Sequence, residues 1–107
     1  MATKDSIRAS IIGAKDTALQ AVDVPEWNTT VHIKVMSGAD RDEFEGEANK
    51  GGTVNHDNLR AKLLVKVLCD ETGERLFQDQ EYIELGKKSS VVLVRLFDIA
   101  AKHTAFR

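Results

Sequence analysis

The chain has 107 residues and a formal net charge of −2 at pH 7, with 42% hydrophobic and 30% charged residues. These values are typical of one globular domain, and we expect residues 1–107 to form a single domain. A DNA or RNA binder needs a basic surface for phosphate contacts, so the slightly acidic balance argues against nucleic acid as a partner.

The first predicted element is a short N-terminal helix. Ile7, Ile11 and Ile12 lie at i, i+4 and i+5 within residues 5–15, which indicates a helix with one narrow apolar stripe. A helix of this length is marginal in water and needs a surface on which to dock. We therefore expect residues 1–16 to form a helix that is mobile until it finds one.

Two strands of an antiparallel hairpin are predicted next, over residues 17–24 and 29–36, with a turn at residues 25–28. The second run alternates in polarity, which is the pattern of a half-buried strand. Its predicted faces are Val31, Ile33 and Val35 on one side and His32, Lys34 and Met36 on the other. A hairpin alone is marginally stable, so we expect it to pack against helices.

Two helices are predicted after the hairpin. Ser37 can accept a hydrogen bond from the Asp40 amide, which would start a strongly acidic helix over residues 39–48. Residues 58–68 predict a second helix, because apolar residues recur there at helical spacing. Its predicted outward-facing residues are Arg60, Lys62 and Lys66. A strand over residues 65–68 is the alternative, because β-branched residues are frequent there.

The C-terminal part predicts a short helix and a long one. Residues 80–85 form the short helix, capped by Asp79 and ended by Gly86. Ser89 or Ser90 caps the final helix, which carries the densest apolar pattern of the chain. The predicted core residues of the two long helices are Leu63, Leu64, Val67, Leu93, Leu96 and Phe97. The fold class is α+β, with an N-terminal hairpin packed against three to four helices and the C-terminal helix central.

The residue pattern contains no catalytic or metal-binding motif. Cys69 has no histidine at helical spacing, and the three histidines lie in separate predicted elements, so neither a nucleophile–base pair nor a zinc site is indicated. A lone cysteine is most often a small buried hydrophobe. We expect no enzymatic activity, no metal and no cofactor.

The chain also lacks a membrane or secretion pattern. The longest apolar run, residues 91–94, is far too short to span a bilayer, and the N-terminus has no signal-peptide core. The single cysteine excludes an intrachain disulfide, which fits a reducing compartment. We therefore expect a cytosolic protein without a membrane contact.

Three residues are candidates for partner binding: Trp27, Arg95 and Phe106. Trp27 lies in the predicted turn, where a large aromatic side chain either folds back onto the core or contacts a partner. Arg95 belongs to the basic C-terminal helix, whose charge is opposite to that of the acidic helix. Phe106 is an apolar residue beside the terminus, which suggests docking onto another surface. The acidic helix over residues 39–48 and the basic C-terminal helix could pair within one chain or between two copies, so a homo-oligomer is also possible.

Four stretches carry a resemblance to a known family: V-D-V-P-E-W, V-H-I-K-V-M-S-G-A-D-R-D-E-F-E, N-L-R-A-K-L-L-V-K-V-L-C-D-E-T-G-E-R-L-F and L-G-K-K-S-S-V-V-L-V-R-L-F-D-I-A-A-K-H. With these stretches the chain resembles the tail assembly chaperones of long-tailed bacteriophages and prophages, over about residues 17–106. The N-terminal isoleucine segment and the loop around residues 50–52 depart from the pattern of the family.

The resemblance implies a non-enzymatic role in tail assembly. Members of this family hold the long tape-measure protein, keep it soluble and help to recruit tail-tube subunits. They act in the host cytoplasm and are absent from the mature virion. The alternative from another class is a structural phage protein, such as a minor tail or head–tail connector component, which would remain in the virion.

Overall fold

The computed structural model describes residues 2–49 and 58–104. These residues form an α+β fold with a three-stranded antiparallel sheet, which confirms the predicted fold class. The helices are α1 (Lys4–Gly13), α2 (Gly38–Ala48), α3 (Leu59–Val67), α4 (Tyr82–Leu85) and α5 (Ser90–Thr104). The strands are β1 (Leu19–Val24), β2 (Thr29–Lys34) and β3 (Leu68–Cys69). Short 3-10 helices include Pro25–Trp27 and Asp79–Glu81.

The predicted hairpin is confirmed as β1 and β2. The two strands pair antiparallel, with Leu19 opposite Lys34 at one end and Val24 opposite Thr29 at the other. Asn28 closes the turn in the left-handed conformation, with φ of 52°. On its other side β2 pairs with β3, so the strand order is β1-β2-β3.

The alternation predicted for the second strand holds only as far as Lys34. Val31 and Ile33 face the core at 5% and 0% exposure. Met36 was expected on the outer face, but it is buried at 5% exposure because β2 ends at Lys34 and the chain turns there towards α2. The outer-face assignment of Met36 is therefore wrong.

The start of α2 follows the predicted capping pattern. The Asp40 amide donates to Ser37 Oγ at 3.1 Å, and Asp40 lies in the first turn, where a negative charge suits the helix dipole. Phe44 is 3% exposed and attaches this otherwise polar helix to the core.

Helix α3 lies where it was predicted, but it differs from the prediction in two details. It ends at Val67, and Leu68 begins β3, so the helix and strand interpretations each describe part of the run. Lys66, expected to face outward, is only 5% exposed. Lys66 is covered because α2 and the 3-10 helix at Asp79–Glu81 pack against this side of α3, with the Lys66 ammonium 2.7 Å from Glu43 and 3.4 Å from Asp79.

The predicted cap of the short C-terminal helix is also wrong. Gln78, rather than Asp79, occupies the N-cap position of the 3-10 helix, and its amide donates to the Glu81 carboxylate at 2.7 Å. Gly86 follows α4 as predicted. A Cβ at this position would lie 2.9 Å from Asn58 Oδ1 and 3.0 Å from the Tyr82 carbonyl oxygen, so a larger residue would force the Asn58 side chain at the start of α3 to move.

The core forms where α3, α5 and the inner face of the sheet meet. Five of the six predicted core residues of the long helices are buried: Leu63, Leu64, Val67, Leu93 and Leu96. Phe97, the sixth, is half-buried and packs against this cluster. Within the described ranges, no helix is long and apolar enough to cross a membrane.

Candidate partner-binding surfaces

Helix α1 carries three isoleucines that remain exposed among the residues that the structure describes. Ile7, Ile11 and Ile12, which we name the isoleucine face, are 49%, 68% and 73% exposed. The start of the helix is fixed locally, because Thr3 and Ser6 form a reciprocal capping box. None of its ten residues is buried. The helix predicted to need a docking surface is therefore formed, and its apolar side faces outward.

A groove lies between α2, α3 and the segment that leads into α4. Its volume is about 340 Å³. We name it the acidic groove, and its lining residues are Glu43, Phe44, Glu47, Lys62, Val65, Lys66, Asp79, Gln80 and Tyr82. Phe44 and Val65 are buried and give it an apolar floor, while three carboxylates line it. The amine of Lys62 lies 5.1 Å from the centre of the Tyr82 ring, a cation–π distance.

An ion cluster around Lys66 joins the elements that form this groove. The Lys66 ammonium lies 2.7 Å from Glu43 Oε1 on α2 and 3.4 Å from Asp79 Oδ1. Arg75 also binds Asp79, at 2.7 Å. The hydrogen bond from Arg75 is the main reason why the pKa of Asp79 lies below its usual range, and the charge of Lys66 adds to it. Both carboxylates are thus held near cations, which suits charge compensation rather than proton transfer.

Arg75 has a second role at the end of α3. Its Nε and Nη2 atoms donate to the Val65 carbonyl oxygen at 3.0 and 2.8 Å. The last carbonyl groups of a helix lack partners within the helix, so this contact satisfies one of them. Sequence reasoning missed both the groove and the cluster.

The predicted residue Arg95 is engaged within the chain. Its guanidinium forms a two-pronged contact with Glu26, at 2.8 and 2.7 Å. This hydrogen bonding lowers the pKa of Glu26 to about 2. The pair connects α5 to the 3-10 helix at Pro25–Trp27. Trp27 is half-buried and packs against the core, with part of its surface still accessible.

The three candidate residues are thus not gathered into one site. Trp27 and Arg95 lie near the same turn, and Phe106 lies outside the described residues. A role for any of them in partner binding stays a prediction.

Cys69 is placed as a buried structural residue. It is 0% exposed in β3, and its thiol donates to the His32 carbonyl oxygen at 3.3 Å. Burial raises the pKa of the thiol, which disfavours the reactive thiolate. In residues 2–49 and 58–104, no group of three or more His, Cys, Asp or Glu side chains is arranged to hold a metal ion.

A protein-family model described as phage tail assembly chaperone matches residues 6–105. The chain belongs to the phage tail assembly chaperone family. The match begins inside α1, so most of the helix that carries the isoleucine face lies within the family domain. The family description indicates a non-enzymatic protein.

The fold of this chaperone is also that of a solved relative. The structure of the bacteriophage HK97 tail assembly chaperone superposes with a TM-score of 0.66 at 23% identity. The similarity covers 92% of this chain and 93% of that chain. At this identity the likeness establishes the shared fold. A comparison with curated proteins gave no match.

Proposed function

We propose that this chaperone binds the phage tape-measure protein, keeps it soluble and helps to recruit tail-tube subunits, without enzymatic activity. Family membership supplies the process, which is tail assembly. The observation that carries the proposal is the isoleucine face, whose three large apolar side chains are 49–73% exposed on a helix with no buried residue. Such a grouped apolar surface is typical of an interaction site.

The isoleucine face suits a helical client. Ile7 and Ile11 are four residues apart and lie on one side of α1, where they can pack against an apolar stripe of another helix. Lys4 and Arg8 line the same shallow depression and add positive charge at its rim. Because a ten-residue helix is marginal alone, binding of a client would also stabilise α1.

The acidic groove provides a second contact region on different elements. Its apolar floor, lined by three carboxylates and two lysines, favours a partner segment that combines an apolar side chain with charged residues, and Glu47 is the lining carboxylate outside the Lys66 cluster. A protein that holds a tape-measure protein and recruits tail-tube subunits needs two separable surfaces. We assign the groove to the tail-tube subunit and the isoleucine face to the tape-measure protein.

The proposal is tested by co-expression with the tape-measure protein encoded in the same phage or prophage genome. We expect the wild-type chain to raise the soluble fraction of that protein and to co-purify with it. The double variant Ile7→Ser, Ile11→Ser should lose most of this effect, because it removes the apolar contact. Val91→Ser is the matched control, since Val91 is 69% exposed but lies on α5.

Two results would contradict the proposal. One is a tape-measure protein whose solubility does not depend on this chain. The other is an equal loss of the solubilised fraction of the client in the α1 double variant and in Val91→Ser. Equal losses would indicate non-specific hydrophobic binding. If the wild type solubilises the client and the α1 variant is fully active, the client surface lies elsewhere, and Trp27, Arg95 and Phe106 become the next positions to change.

A further inference from the structure

Helix α2 is attached to α3 through a small contact. Within residues 38–48, all of which the structure describes, Phe44 is the one buried side chain. Its neighbour Glu43 forms the ion pair with Lys66 on α3, at 2.7 Å. Segments with few buried apolar contacts open at a lower free energy than the core of the same protein. We therefore expect α2 to open while the rest of the fold stays intact.

The sequence of α2 also makes it a weak helix. Gly46 lies inside the helix, where glycine is one of the least favourable residues. A Cβ at Gly46 would meet nothing within 4 Å among the described residues of other elements, so packing does not require the glycine. Glu43 and Glu47 are four residues apart, and like charges at this spacing destabilise a helix. The last turn contains no basic residue to suit the helix dipole.

Opening of α2 would uncover a surface with a specific chemistry. We name it the α2 docking surface, and it consists of Val65, Lys66, Asp79 and Tyr82, which line the acidic groove together with α2. Val65 is buried, and so is most of the Lys66 side chain. Without α2, the Lys66 ammonium keeps Asp79 at 3.4 Å but loses the closer carboxylate of Glu43. The surface would then offer an apolar contact beside a cation that lacks its nearer counter-charge.

We propose that the α2 docking surface binds a helix of another protein that carries an acidic residue directly followed by an aromatic one. Helix α2 occupies this surface within the chain and acts as an intramolecular competitor. The acid of the entering helix takes the place of Glu43 at Lys66, and its aromatic side chain takes the place of Phe44. A basic helix is disfavoured, because it would place a like charge at Lys66.

The competition makes binding depend on how often α2 is open. A partner that binds only the open form has an apparent affinity reduced by the open fraction. Substitutions of Gly46 change this fraction without altering the α2 docking surface. Glu43, Phe44 and Glu47 of α2 also line the acidic groove, so a partner on the α2 docking surface and a partner in the groove exclude each other.

Hydrogen exchange measured by NMR tests the opening of α2. We expect the amides of α2 to exchange faster than those of α3 and α5, and to change their rates together, because they share one opening. Gly46→Ala should slow the exchange of the α2 amides about fivefold, and Gly46→Pro should speed it about thirtyfold. These factors follow from the helix propensities of alanine, glycine and proline.

A designed peptide tests the chemistry of the α2 docking surface. The probe is an alanine-rich helix of about 16 residues with one Glu-Phe pair, a length at which such a helix begins to form in water. Matched peptides carry Gln-Phe or Glu-Ser at the same positions. In NMR titrations of the full chain, the Glu-Phe peptide should shift the signals of Val65, Lys66 and Tyr82. Both matched peptides should bind at least about tenfold more weakly.

The affinity of the Glu-Phe peptide should follow the opening of α2. We expect it to fall about fivefold in Gly46→Ala and to rise in Gly46→Pro, although neither residue belongs to the α2 docking surface. Lys66→Met should abolish the preference for Glu-Phe over Gln-Phe, because it deletes the cation that the glutamate contacts. If Gly46→Pro does not fold, the comparison of the wild type with Gly46→Ala still decides the outcome.

Three results would overturn the inference. The first is exchange of the α2 amides as slow as that of the α3 amides, which would mean that α2 opens only with the whole fold. The second is an equal peptide affinity of the wild type and Gly46→Ala. The third is equal binding of the Glu-Phe and Gln-Phe peptides to the wild type. The inference does not rest on the proposed function, since no test contains the tape-measure protein or a tail-tube subunit.

Discussion

At the scale of single residues, Lys66 controls the contact between α2 and α3. Its ammonium is taken out of water, and its compensating charges come from Glu43 on α2 and from Asp79 before α4. The side chain of Lys66 is 7% exposed, whereas the two carboxylates are 57% and 51% exposed. Desolvation therefore falls almost entirely on the lysine, and the acids can exchange the lost partner for water.

This asymmetry predicts unequal effects of the two ways of breaking the cluster. Lys66→Met keeps most of the buried stem and leaves two hydratable carboxylates, so we expect it to lower the free energy of unfolding by less than about 1 kcal/mol. The double variant Glu43→Ala, Asp79→Ala leaves a buried ammonium without its partners and should cost about 3 kcal/mol. Urea denaturation measures the loss of unfolding free energy in both variants. The dependence of that free energy on urea concentration is compared between variants to confirm that the unfolding transition is the same. A larger loss in Lys66→Met would mean that the cluster itself stabilises the fold.

The contact between Glu26 and Arg95 predicts a defined pH dependence. The pKa of Glu26 falls from its ordinary value of 4.5 to about 2 in the folded protein. A carboxylate whose pKa is lowered by folding contributes stability above its unfolded pKa and loses it as the pH falls through the folded pKa. The wild type should therefore melt at a higher temperature than Glu26→Gln at pH 6. This difference should shrink between about pH 4.5 and pH 2.

A second variant separates the ion pair from a general effect of charge. Glu84→Gln removes one negative charge from α4, where the side chain is 74% exposed and has a single contact, with Lys87 at 3.6 Å. Its melting temperature should differ less from that of the wild type than the melting temperature of Glu26→Gln does, because this contact is longer and is not two-pronged. Equal pH profiles for Glu26→Gln and Glu84→Gln would contradict the assignment to Arg95.

At the scale of elements, α5 has one buried face and one exposed face. Substitutions on the two faces should therefore change the free energy of unfolding by different amounts. Leu96 is 0% exposed in the core and Val91 is 69% exposed on the same helix. Leu96→Ala should cost about 3 kcal/mol of unfolding free energy, because it removes buried methyl groups and leaves a cavity. Val91→Ala should change it by less than about 0.5 kcal/mol. Leu96→Asp should unfold the chain. A soluble, cooperatively folded Leu96→Asp variant would instead make this stripe a partner surface.

Local sequence patterns predicted the elements that they control directly. The alternation through Val31 and Ile33 identified β2, and the Ser37 hydroxyl marked the start of α2. Strand β3 was harder to predict, because two residues are too short for a period-two pattern and their partner, β2, lies far away in sequence. The buried position of Lys66 was not visible in the local pattern, because its compensating charges come from Glu43 and Asp79, which lie 23 and 13 positions away in sequence.

The candidate surfaces were predictable only in part, because one of them is formed by residues that are distant in sequence. The isoleucine spacing in α1 indicated a helix that needs a partner, and none of residues 2–49 and 58–104 covers its apolar side. The acidic groove combines residues from α2, α3 and the segment before α4. A site of that kind depends on tertiary packing, which no local pattern encodes. The contact of Arg95 with Glu26 spans 69 positions and was hidden from sequence reasoning as well.

At the scale of the whole molecule, the two candidate surfaces differ in chemistry and in position. The isoleucine face is apolar with a basic rim, and the groove has an apolar floor lined by carboxylates and lysines. Because they lie on different elements, a client on the isoleucine face would leave the groove open to a second protein under the proposed function. Few residues anchor either surface, so we expect each contact alone to be weak and reversible.

Reversible binding leads to a prediction about the finished particle. A chaperone that holds its client weakly should leave once tail-tube subunits cover the tape-measure protein, so this chain should be present in infected or induced cells and absent from purified virions. Quantitative mass spectrometry of host cytoplasm and of gradient-purified particles from the same culture measures both. The tail-tube protein is the internal standard for virion copy number. A ratio near one or more copies per particle would contradict the chaperone proposal and favour a minor tail or connector component.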